Sequence, residues 1–261
     1  MTAAFLGVLV GLSLIGAFLS GLVGVGGAII MIPLLLYGPP LLGVGRLDMK
    51  TVTAVTMVQV FVAAASSVVV HRRLRAVSMD LALVGGAAMA LGSLTGAVAS
   101  AWASQYFLLL VFGLMILAAL ALLLVPVETV GQPIFAEHVE FSRPRAVVVC
   151  LAVGLMAGLI GAGGAFLLVP LLMVLVGIPI RVTIGSSLAI TAVAATAGVA
   201  GKLVTGQVPL EPTMAVALGA VPGAQFGALV SRRFSGRALR LVLVGVVMLS
   251  AVRVWWDLLV P

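Results

Sequence analysis

The chain has 261 residues, of which 63% are hydrophobic and only 8% are Asp, Glu, Lys or Arg, and its mean hydropathy is +1.37. A soluble domain carries roughly a quarter charged residues, so this composition excludes a soluble enzyme and a disordered tail. It predicts an all-α integral membrane protein with several crossings. The net charge of +7 is concentrated at the ends of apolar runs, as in Arg72, Arg73, Arg75 and Arg232, Arg233, Arg237, Arg240. It reads as a cytoplasmic topology signal and not as a nucleic-acid surface.

In chain order, apolar runs predict helices over about 3–23, 28–38, 51–70, 80–100 and 105–125, then 145–162, 165–177, 183–204, 212–230 and 237–256. The first run has no basic residue ahead of it, which argues against a cleaved signal peptide. The polar stretch from Pro126 to Pro144 divides the chain into a first half (1–126), a linker (127–144) and a second half (145–261). Cys150, the single cysteine, cannot form an internal disulfide.

The halves repeat. Residues 20–34 read SGLVGVGGAIIMIPL and residues 157–171 read AGLIGAGGAFLLVPL, so Gly24, Gly26, Gly27, Ala28 and Pro33 correspond to Gly161, Gly163, Gly164, Ala165 and Pro170 at an offset of 137. Residues 51–60 face 185–194 at 134, and Asp80, Gly92 and Gly96 face Glu211, Gly223 and Gly227 at 131. The charges predict that the copies are inverted. HRRLRAVS (71–78) follows the third run of the first half, whereas SRRFSGR follows the fourth run of the second. With positive loops inside, equivalent loops lie on opposite sides, an arrangement common in secondary transporters. The stretches 3–45 and 145–182 are then hairpins folded at their glycines, each followed by three transmembrane helices. The linker is cytoplasmic and both termini are outside, with Arg46 and Lys50 on the outer side.

Glycine costs about 1 kcal/mol in a helix interior, so each cluster marks a break or a very close backbone approach. After each break a short helix begins near Ala28 or Ala165. Its first turn leaves N–H groups unpaired and partly positive. Two such ends meeting near the midplane could hold an anion without a charged side chain; the alternative is glycine-mediated helix packing. Gly26, Gly27, Ala28, Gly163, Gly164 and Ala165 are the candidate backbone donors. Val at Gly27 or Gly164 is expected to abolish flux and leave the protein folded.

Thr53, Thr56, Gln59 and Ser66 share roughly one helical face, and Thr183, Ser187 and Thr191 recur every four residues, with Ser186 alongside. Such neutral groups can donate to an oxyanion or join helices to one another. The candidate side-chain donors are Thr53, Thr56, Gln59, Ser186, Ser187 and Gln225. All seven acidic residues lie in loops or at helix ends, with Asp80 and Glu211 placed to stabilise helix starts. Lys202 is expected to snorkel its ammonium to the interface, attraction of an anion being the lesser reading. No hydrolase or metal-ligand spacing is present, so neither enzyme activity nor a cofactor is expected.

The doubled G-x-G-G-A-x-x-x-x-P-x-L motif, the hydroxyl-rich helix after each copy, HRRLRAVSMD, and the segments LGSLTGA and PGAQFGA resemble the TauE/SafE family of membrane permeases, often called sulfite exporters. The second copy's Gly-Ser-Ser (185–187) is close to that family's Gly-Thr-Ser pattern, while the first reads Thr-Val-Thr (51–53). The resemblance implies a multi-pass permease of the cell inner membrane for sulfur-containing anions such as sulfite and sulfonates. Its implied partners are a small anion and membrane lipid, with a homodimer compatible, and no nucleic acid. Two other readings stay open: transport of another small anion or carboxylate, and a non-transporting membrane scaffold.

Overall fold

Long apolar runs punctuated by glycine, proline and short polar turns dictate where helices start and stop in this chain. In the computed structural model, residues 2–23, 28–72, 77–124, 141–231 and 236–259 are described. Every regular element among them is helical: α1 (Ala3–Val23), α2 (Ala28–Leu41), α3 (Met49–Arg72), α4 (Met79–Ala99) and α5 (Gln105–Leu124), then α6 (Arg143–Ile160), α7 (Ala165–Leu171), α8 (Ile180–Val204), α9 (Leu210–Ser231) and α10 (Gly236–Leu259). Among the described residues five helices are long and apolar enough to cross a membrane. Leu83, Leu91, Leu114, Leu218 and Leu229 face outward, as lipid-facing side chains would.

The sequence-based boundaries hold to within a few residues. Gly161 ends α6 in the left-handed conformation at φ 67°, a position that favours a residue with no Cβ. Gly164, at φ 71°, precedes α7. A π-helical turn (Leu172–Val176) extends α7 to Gly177, one turn beyond Pro170, whose missing N–H weakens the regular ladder. The linker lies largely outside the described residues, as do Gly24, Gly26 and Gly27 of the first hairpin.

The two halves exchange partners. α1 packs along α9, α4 along α6, α2 against α10 and α5 against α7. Both principal seams are built on glycine and run parallel. A Cβ at Gly92 or Gly96 of α4 would meet the Leu151 or Leu155 carbonyl of α6, and one at Gly154 or Gly158 would meet the Met89 or Ser93 carbonyl in return. Gly219, Gly223 and Gly227 of α9 approach the Val10, Leu14 and Phe18 carbonyls of α1 in the same way. Ser13 adds a hydrogen bond to the Val216 carbonyl at 2.6 Å. At the centre α3 crosses α8 in the opposite sense, since Thr53 lies by Lys202 and Met57 by Gly198.

These approaches set opposite signs for the same substitution. Gly158→Ala is expected to destabilise by about 1–3 kcal/mol, because the Ser93 carbonyl must move. Gly11→Ala on α1, which meets nothing within 4 Å, should stabilise by about 0.5–1 kcal/mol through the helix propensity gained. Thermal unfolding of the two purified variants in detergent checks the contrast.

Candidate functional site

The tip of the second hairpin lies against the middle of the bundle. Residues Ile160 to Pro170 are buried without interruption. A Cβ at Gly161 would fall on the Thr53 carbonyl of α3, and one at Gly163 would fall against Val60 of α3 and 3.1 Å from Thr191 Cγ2 of α8. The backbone is left-handed at Gly161, Gly163 and Gly164, with φ of 67°, 61° and 71°. The chain therefore turns from α6 into α7 in a space only glycine fits. Gly164 is enclosed by Met89 and Val153, each 2.7 Å from where its Cβ would stand, and by Ala157 at 2.9 Å. The expected folded Gly164→Val protein is accordingly revised: valine there meets both a strained φ and an occupied space.

The helices that enclose this tip carry, among the described residues, a group of polar side chains without partners. Thr56 Oγ1, both Gln59 amide atoms, Ser93 Oγ and Thr191 Oγ1 are buried and form no hydrogen bond. Thr56, Gln59 and Thr191 are 0% exposed and Ser93 is 1%. They come from α3, α4 and α8; Thr191 lies by the tip at Gly163, and Ser93 lies with Met57 against Gly198. Met57 Cε and Ser93 Oγ stand 2.5 and 2.6 Å from where a Gly198 Cβ would be. Buried polar groups ordinarily find partners, and each orphan costs about 1–3 kcal/mol. Among the described residues five of the seven unpartnered buried atoms belong to α3, α4 and α8, the others being Tyr37 Oη and Trp255 Nε1, and polar atoms left in this way are what a bound ligand would complete.

The other candidates are distributed differently. Ala28 and Ala165 are the first residues of α2 and α7 and both are buried, while Gly26 and Gly27 lie outside the described residues. Thr53 is committed to its own network: its hydroxyl donates to the Lys50 carbonyl at 2.8 Å and accepts from Lys202 at 3.3 Å. Ser186 Oγ accepts the Ser78 N–H at 3.0 Å, which ties it to the start of α4, and Ser187 is buried beside it.

Gln225 does not join the group. It is exposed on α9, on the stripe that carries Met214, Leu218 and Val221. The reason is helical geometry: at 100° per residue, position 225 lies about 200° from Gly223, opposite the glycine face that packs on α1. Ser93 was missed, because in LGSLTGA it reads as one more small packing residue. Its distance of one residue from Gly92 places it on a neighbouring face, which is the only sequence signal for it. Lys202 also departs from expectation, being fully buried instead of snorkelling.

Beyond this geometry, the sequence profile described as Sulfite exporter TauE/SafE matches residues 8–254. The chain is also 26% identical over 255 residues to "Probable membrane transporter protein YunE" of Bacillus subtilis (strain 168), covering 90% of this chain and 92% of that protein. No solved structure matches it. A multi-pass helical bundle with paired G-x-G-G-A hairpins, matched by that profile over nearly its whole length, belongs to the sulfite exporter TauE/SafE family of membrane transporters.

Proposed function

We propose that this transporter moves a small sulfur oxyanion, sulfite or an organosulfonate of the sulfoacetate type, outward across the cell inner membrane. The site we assign is bounded by Thr56, Gln59, Thr191 and Ser93 with the tip Gly163–Gly164–Ala165, and Gly26, Gly27 and Ala28 are its counterpart in the first half. The observation that carries the reading is the set of unpartnered buried hydroxyls and amide atoms on the helices that enclose a broken hairpin. Hydroxyl and amide N–H donors suit sulfonate oxygens, which accept several hydrogen bonds at once. Gln225 is no longer part of the assignment.

The inverted arrangement of the halves belongs to the same proposal. α3 and α8, equivalent in the repeat, cross antiparallel, and each half's hairpin packs on the fourth helix of the other. Both support a twofold relation in the membrane plane, with a site between the copies.

The direction follows from energetics. A monovalent anion leaving a negative-inside cell moves downhill by about 2.3 kcal/mol per 100 mV, so export requires no coupling ion. In liposomes, addition of sulfite, sulfoacetate, taurine, sulfate and acetate in turn should give current with a sulfur anion when no proton or Na⁺ gradient is imposed. Silence across the panel from folded protein overturns the substrate class. Strict dependence on a cation gradient overturns potential-driven export.

A further inference from the structure

Lys202 carries the only charge among the fully buried side chains of the described residues. Its ammonium reaches Ser100 Oγ at 2.9 Å, Thr53 Oγ1 at 3.3 Å and Gln207 Oε1 at 3.4 Å. All three acceptors are neutral. Arg143 with Asp80 and Arg253 with Asp257 form ion pairs elsewhere, on exposed surface. Lys202 lies in the last turn of α8, where the helix end supplies partial negative potential equal to about half a charge. Among the described residues its hydrogen-bond partners add no negative charge.

Its partners come from three elements at one end of the bundle: the start of α3, the residue closing α4, and the turn between α8 and α9. Ser100 Oγ also stands 2.9 Å from Gln207 Oε1, and the Gln207 amide donates to the Ala97 carbonyl at 3.1 Å and to Thr205 Oγ1 at 2.6 Å. Ser100 and Gln207 thus close over the ammonium from the side of the 101–104 and 205–209 turns. Below it, Thr53 touches both Lys202 and the hairpin tip, because its carbonyl is the atom against Gly161. From Thr53 the polar face of α3 continues through Thr56 to Gln59, about 9 Å along the axis. A buried cation therefore sits between the Ser100–Gln207 closure and the polar face of α3.

A structural role alone does not account for a charge in this position. Neutral or apolar replacements of buried charges are often as stable or more so, and ionisable groups at membrane depth mark ion or substrate pathways. We infer that Lys202 is both the cationic partner of the transported anion and the latch of this end of the pathway. In the closed arrangement the ammonium is held by Thr53, Ser100 and Gln207. An oxyanion advancing along the polar face of α3 takes the place of these neutral acceptors on the ammonium, and the Ser100–Gln207 closure over it is released. The inference rests on the anion-transport reading above.

The test uses full-length protein in liposomes, with sulfite and sulfoacetate as probes, and compares wild type with K202M, K202Q and K202R. Thermal unfolding is recorded with and without sulfite. Flux at low anion concentration should fall on the order of 100-fold in K202M and K202Q, with most of the loss in KM, while K202R retains part of it. K202M should unfold no earlier than wild type, and its sulfite-dependent shift in Tm should vanish. Wild-type flux together with a K202M KM within twofold of it overturns the role of Lys202 and leaves the transport reading standing. A K202M protein that unfolds several degrees earlier and keeps its sulfite shift makes Lys202 a structural pin and overturns the inference. Absence of anion flux in wild type removes the transport reading, and this inference with it.

Discussion

Gln59→Leu is expected to give a protein that unfolds no earlier than wild type yet carries the anion roughly 10- to 100-fold more slowly. Both amide atoms of Gln59 are buried without a partner, a state that costs about 1–3 kcal/mol and that an apolar side chain of similar size relieves. A hydrogen bond to a charged group is worth about 1.5–3 kcal/mol, so loss of the amide donor predicts the slower flux, at tenfold per 1.4 kcal/mol. Parallel measurements of liposome flux and of Tm decide the matter. A Gln59→Leu protein that transports normally shows that the amide is a packing element and removes it from the site. Thr191→Val, with the same shape and no hydroxyl, should move both quantities in the same directions by smaller amounts.

The largest loss of stability is expected at Gly161. Alanine there must adopt a left-handed φ, at about 1–2 kcal/mol, and its methyl group must displace the Thr53 carbonyl, at about 1–3 kcal/mol more. The two add to about 2–5 kcal/mol, a large share of ordinary stability. Because Thr53 also holds Lys202, flux should fall in the protein that does fold. Gly177→Ala is the control. Its φ is +78° but nothing lies within 4 Å of the added Cβ, so it should pay the conformational cost alone and keep its flux. Equal Tm values for the two variants would falsify the close approach of α6's end to α3.

Much of this architecture was legible in the chain because its determinants are local. Apolar runs of about 20 residues and the glycine breaks gave helix positions. The candidate site was legible only where local pattern and tertiary position coincide. Thr56 and Gln59 sit at helical spacing on α3 and are buried without partners, which keeps them in the proposed site. Gln225 was singled out for its place within a glycine motif, and the helical repeat turns it to the side opposite those glycines, where it is exposed. Lys202 failed for a different reason. Whether a lysine near a helix end snorkels or stays buried depends on what lies beside it, and Ser100 and Gln207 are 107 residues apart in sequence. Only the assembled bundle brings them to the ammonium.

The exchange of partners between halves bears on how the protein can be made. The glycine face of α4 awaits α6, and α1 awaits α9, about 200 residues further along the chain. When the first five helices have entered the bilayer, their closest backbone surfaces face lipid and not protein. The first half is thus a set of inserted spans still lacking its main seams, and the second half is its scaffold. Assembly must run late and over long sequence separation, in the slow regime associated with non-local contacts. The interval between the insertion of α5 and the arrival of α9 is when the chain is most open to wrong pairing with a neighbour.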